Sequence, residues 1–121
     1  MKAVARKATL DLQSPMSPDR LGNLVEEMLL MLARDFSIKG VVPGHIKALV
    51  EEDESYCSFS CTKPGKVTRQ TSFQKEDTYF HQPCLYLNVV LVGVPEEKAE
   101  VGVDICLEKF LNSVRSSTRE R

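Results

Sequence analysis

The chain of 121 residues is one domain's worth, long enough to bury a core without staples. Apolar residues are 42% and charged residues 27%, and sixteen Lys and Arg against seventeen Asp and Glu leave a net charge of -1. That near-balance gives no global pull towards nucleic acid or anionic lipid, and no run approaches the roughly 20 apolar residues of a membrane span.

Residues 1–7 carry positive charge, but Thr9, Asp11 and Gln13 follow where the apolar stretch of a secretion signal would run. The expectation is a cytoplasmic protein. Thiols stay reduced there, so four cysteines do not imply two disulfides.

The first element is a half-buried strand over 3–12, with Val4, Ala8, Leu10 and Leu12 on one side and Lys7, Thr9 and Asp11 on the other. Ser17 suits a helix N-cap, Pro18 the first helical position and Asp19 the positive end of the dipole. Leu21, Leu24, Val25, Met28, Leu29, Leu32 and Phe36 then recur at three- and four-residue steps, which predicts an amphipathic helix over about 18–35. Met28 and Met31 read as core filler.

Gly40 and the Val41-Val42-Pro43-Gly44 stretch turn the chain into a strand over 45–51. The acidic run 51–54 reads as a solvated hairpin tip, since it lacks the spaced ligands and mid-loop glycine of a calcium loop. A strand over 56–62 puts Cys57, Phe59 and Cys61 on one face and Tyr56, Ser58 and Ser60 on the other. Lys63-Pro64-Gly65-Lys66 has the residues of a type II turn, and 67–73 returns as a strand. Residues 74–83 form the longest irregular stretch. The run 84–93 is almost continuously apolar and predicts a central strand buried on both faces. Pro95, Glu96 and Glu97 open a last helix with Val103, Cys106, Phe110 and Val114 on its buried side. Residues 1–114 are therefore read as one α+β domain and 115–121 as a flexible C-terminal tail.

The expected fold is a two-layer sandwich in the order β-α-β-β-β-β-α. Its mixed, mostly antiparallel sheet has four to five strands, with two helices on one face. Two helices cover one side only. Tyr86, Val90 and Val92 on the second side of the 84–93 strand then need a cover, and a second copy of the chain is the simplest one. The plainer reading folds the 74–83 loop or the chain ends over that side.

Three constellations offer chemistry. Cys61, His81 and Cys84 supply soft donors for zinc, with His81 and Cys84 able to converge across Pro83. Cys57 and Cys61, about 13 Å apart along an extended strand, cannot share one ion. The plainer reading makes the strand cysteines small buried hydrophobes. His45 and Lys47 project from one strand face and, joined by Arg69, suit a small anion. Lys63, Lys66 and Arg69 beside Tyr56, Phe59 and Phe73 have the composition of a single-strand binder, but the acidic tip and the missing ribonucleoprotein pattern weigh against nucleic acid.

No phosphate loop, nucleophile elbow or carboxylate pair is present. The function read from these residues is a binding or interaction module of unidentified ligand, self-associating as a homodimer through its sheet, without catalysis or a cofactor of its own. A protein partner or small anion would be its ligand. The alternative is a zinc-binding or cysteine-dependent small enzyme built around His81 and Cys84.

Overall fold

A computed structural model describes residues 2–72 and 78–119, with side chains as far as 117. Its elements are β1 (Lys2–Thr9), α1 (Pro18–Phe36), β2 (Gly44–Glu52), β3 (Ser55–Lys63), β4 (Lys66–Thr71), β5 (Cys84–Leu91) and α2 (Glu96–Arg119). This is the expected α+β order. Phe73 and residues 74–77, which the sequence assigns to the end of a strand and to a loop, lie outside the described residues.

The five strands form one sheet in the order β1-β5-β2-β3-β4, and every neighbouring pair is antiparallel. β1 and β2 run the same way, but β5 lies between them. The crossover through α1 therefore makes no parallel pair, and the sheet is antiparallel throughout rather than mixed. β5 is an interior strand, as its unbroken apolar run requires.

Local chemistry starts each element where the sequence places it. The Ser17 hydroxyl accepts from the Arg20 amide at 3.1 Å, capping α1 ahead of Pro18. α1 ends at Phe36, where a tight turn through Lys39 (φ 52°) and Gly40 (φ 78°) closes the Ile38–Val41 bridge. Gly65, at φ 79°, takes the left-handed position of the β3–β4 turn. Gly44 has a different reason to be glycine: a Cβ there would overlap the Val90 carbonyl of β5. α2 runs to Arg119, past the last apolar position of the pattern. Arg20 of α1 donates to the Ser117 carbonyl at 3.1 Å and anchors that end.

The core lies between the sheet and the helices. Ile46, Ala48, Val50, Cys57, Phe59, Cys61, Leu85, Leu87, Val89 and Leu91 face Leu21, Val25, Met28, Leu29 and Leu32 of α1 and Ala99, Val103, Cys106, Phe110 and Val114 of α2. α1 packs on β2, β3 and β4, α2 on β1, and the helices on each other. Phe80, in the stretch read as a loop, is a core residue at 1% exposure. It is held by a two-bond bridge to Met16, while Leu10 and Leu12 donate to the carbonyls of Pro83 and His81. These bonds extend the β1–β5 seam in irregular form.

The β3–β4 hairpin contains a bulge. Lys63 faces Lys66 across the turn, but further along Ser60 faces Thr68 and Phe59 faces Arg69. Cys61 and Thr62 thus stand opposite Val67 alone. One extra residue on β3 shifts the pairing by one and turns each β4 side chain to the other face.

Candidate functional site

No element covers the outer face of the sheet among the described residues. The register arranges it in cross-strand rows. One row is Lys7, Tyr86, Leu49, Ser58 and Gln70; the next is Ala5, Asn88, Lys47, Ser60 and Thr68. Thr9, Cys84, Glu51 and Tyr56 flank them at one end and Ala3, Val90 and His45 at the other. The twisted rows enclose an open hollow of about 790 Å³ with mainly apolar walls. Leu49, Tyr86 and Val90 are only partly exposed, although no other element packs on them.

Charge separates the two faces. On the helix side Lys2, Arg6 and Arg69 are each paired. Lys2 meets Glu96 at 2.7 Å, Arg6 meets Asp104 at 2.8 Å, and Arg69 meets Glu26 at 2.7 Å. The Arg6 hydrogen bond holds the Asp104 carboxyl below the usual carboxylate range. On the outer face Lys7, Lys47 and His45 have no acidic partner among the described residues. Lys7 lies 5.3 Å from the centre of the Tyr86 ring, a cation–π contact. Glu51, at the end of the rows, is the single carboxylate within them. The hollow is therefore locally positive in a chain of net charge -1.

The predicted anion set is partly assembled. His45 and Lys47 share the outer face, on the middle strand rather than at an edge. Arg69 does not join them. The bulge turns it to the helix side, where its guanidinium bonds Glu26, Asn23 at 2.6 Å and Asp19 at 3.5 Å, above the Phe59 ring.

Cys61, His81 and Cys84 are not brought together. Cys61 faces the helices opposite Ile46 and donates to the Lys63 carbonyl at 3.1 Å. Cys84 faces outward opposite Glu51, five residues further along β2, which is about 17 Å in an extended strand. Among the described residues no three His, Cys, Asp or Glu side chains form a metal-holding group. Cys84 contacts the Thr9 hydroxyl at 3.7 Å, and the described contacts give it no imidazole. The other thiols are buried: burial pushes Cys57 and Cys106 up to about 11 and raises Cys61 as well, which makes them poor nucleophiles. A second hollow of about 410 Å³ lies beside Glu51, Glu52, Asp53, Gln82 and Cys84. Its Glu52 carboxylate is engaged by the amides of His81 and Gln82 at 2.9 and 2.6 Å.

Sequence reasoning left Leu49, Tyr86, Ser60, Thr68 and Gln70 out of the site. The alternation of Tyr56, Ser58 and Ser60 signals a polar outer row, but only the register shows which strands lie beside it.

No protein-family model matches the chain, and no curated protein does. Among solved structures, the Zn(II)-bound YjiA GTPase from E. coli is similar over 86% of this chain and 29% of that one, at 14% identity and a TM-score of 0.36. A likeness that slight carries no argument about this chain. No helix among the described residues is long and apolar enough to cross a membrane.

Proposed function

We propose that this chain is a binding module without catalysis of its own, that its working surface is the outer face of the sheet, and that a second copy covers that face. The observation that carries the reading is the bare face of an interior strand. β5 has neighbours on both edges and helices on one side, yet among the described residues no element packs on the outward Tyr86 and Val90, beside Leu49 of β2.

Area and charge support a second copy. Five strands at about 4.8 Å spacing and roughly 25 Å long offer about 600 Å² per copy. Two such faces bury about 1,200 Å², the lower bound of stable specific interfaces. Along β2 the outer face runs from His45, near the basic Lys63–Lys66 turn, to Glu51, near the acidic tip at Asp53 and Glu54. A twofold, sheet-on-sheet arrangement with the copies reversed sets acidic end on basic end. A cytoplasmic setting fits the reading, since all four cysteines are free thiols.

Light scattering across a concentration series tests it. The expected species has twice the mass of the 13.6 kDa chain, and Leu49→Lys, which adds a further cation to the covered face, should return a folded monomer. A wild-type chain that stays at 13.6 kDa up to millimolar concentration refutes the second copy.

A further inference from the structure

We propose that the hollow on the outer face is a ligand site for a small organic anion: an acid group, carboxylate or phosphate, carried on an apolar or aromatic body. The proposal rests on the outer face being the working surface, and it adds what that surface holds.

The charge of the hollow selects an anion. Lys47 stands at its centre, between Asn88 of β5 and Ser60 of β3 in register. Lys7 reaches over Tyr86 from the β1 side. Neither ammonium has a carboxylate partner among the described residues, whereas Lys2, Arg6 and Arg69 on the opposite face each have one. An acid group beside Lys47 would also take hydrogen bonds from the Asn88 amide and the Ser60 hydroxyl, both carried on rigid strands.

Size and lining select an organic anion over a bare ion. About 790 Å³ falls within the volume of small-molecule sites, and the walls are mainly apolar, with Leu49 and the Tyr86 ring beside Lys47. A bare phosphate would leave those walls wet. A nucleic-acid strand fits less well. The hollow contains one aromatic ring, and Glu51 closes one end of the rows against a continuing phosphate backbone.

The second copy makes the same demand. Two concave faces that meet at their rims enclose both hollows, with Lys7 and Lys47 from each copy and no acid between them. Like charges shut away from water destabilise that arrangement until an anion enters. Ligand and second copy should therefore strengthen each other's binding.

The test is titration of the full chain with phenyl phosphate, inorganic phosphate and phenol, followed by backbone amide shifts. Phenyl phosphate should give saturating shifts at Lys47, Ser60, Tyr86 and Asn88 and bind at least about ten-fold more tightly than either other probe. Lys47→Gln should weaken it by about ten-fold or more, and Lys47→Arg should keep most of the affinity. Lys47 is exposed, so an unchanged spectrum elsewhere reports an intact fold. The proposal fails if phenyl phosphate gives no saturating shifts, if they gather only at the Lys63–Lys66 turn, if Lys47→Gln binds as well as wild type, or if oligothymidylate binds the face and phenyl phosphate does not. Light scattering on the same samples separates the two readings. A monomer that binds phenyl phosphate at Lys47 overturns the second copy alone; a dimer indifferent to phenyl phosphate overturns the ligand alone.

Discussion

Gly102→Ala sets helix propensity against packing, and the structure decides the sign. Glycine inside a helix costs about 1 kcal/mol relative to alanine, so on α2 alone the change would stabilise. A Cβ at 102, however, would stand 2.5 Å from Cζ of Phe36 and 3.2 and 3.3 Å from its Cε atoms. The Phe36 ring is buried at 5% exposure where α1 meets α2. Rotating the ring about χ2 does not help, because Cζ lies on the rotation axis. The ring or a helix must retreat by roughly 1 Å to restore ordinary contact near 3.5 Å. Overpacking of this kind costs about 1–3 kcal/mol, and with no rotamer escape the upper part of that range applies. The expected net loss is about 2 kcal/mol once the helix gain of about 1 is set against it.

Gly22→Ala is the control. Its nearest neighbour is Arg69 Nη1 at 2.8 Å, the end of a flexible side chain that can give up its long contact to the exposed Asp19. An exposed pair contributes about 0–1 kcal/mol, comparable to the helix gain, so that variant should lie close to wild type. The chain has no tryptophan, so urea unfolding at pH 7 is best followed by far-ultraviolet circular dichroism. A Gly102→Ala protein as stable as wild type, or as stable as Gly22→Ala, refutes the argument. Adding Phe36→Leu to Gly102→Ala should recover at least about 1 kcal/mol as coupling between the two sites.

Three further outcomes are expected. Arg69→Met should cost about 1–3 kcal/mol, because it removes a part-buried charge-assisted bond to Glu26 and an exposed one to Asn23 that hold the edge strand to α1; a loss under about 0.5 kcal/mol in urea unfolding would show the clamp to be slack. With Ellman's reagent at pH 8, one of the four thiols should react rapidly in the native protein and Cys84→Ser should abolish that reaction, since Cys57, Cys61 and Cys106 are buried with raised pKa values; a second fast thiol would contradict the packing. Asp104→Asn should destabilise by less than about 1 kcal/mol, as the pair is exposed. Asp104 is held low by Arg6, so its contribution is complete above the ordinary carboxylate value near ~4 and is lost as pH falls through the lower folded value. Unfolding curves of wild type and variant should therefore converge in strong acid; a gap that widens there would contradict the assignment.

The elements were legible because each carries a local signal. Ser17-Pro18-Asp19 starts α1, Pro64-Gly65 turns β3 into β4, and the apolar run from Cys84 has to lie inside a sheet. Faces within one strand were legible too: Cys57, Phe59 and Cys61 go inward, and His45 and Lys47 stay together. Relations between strands were not. Nothing local tells β5 to enter between β1 and β2, and that insertion puts Lys47 beside Asn88. Arg69 was misplaced for a similar reason. A regular two-residue hairpin would pair Ser60 with Arg69 and leave the guanidinium outside, but the bulge pairs it with Phe59 instead. Phe80 gave no periodic signal because a single bridge to Met16, not a ladder, buries it.

The unmatched residue between Ser60 and Lys63 reaches beyond its own hairpin. Were β3 to pair without the bulge and with no residue removed, Ser60 would face Arg69, so Thr68 and Gln70 would swing under α1 and the guanidinium would be handed to water. Glu26 would then stand at the helix flank with its counter-charge gone. Electrostatics at this corner thus hang on the register of one hairpin, and a one-residue slip there would do more harm than most changes of side-chain type.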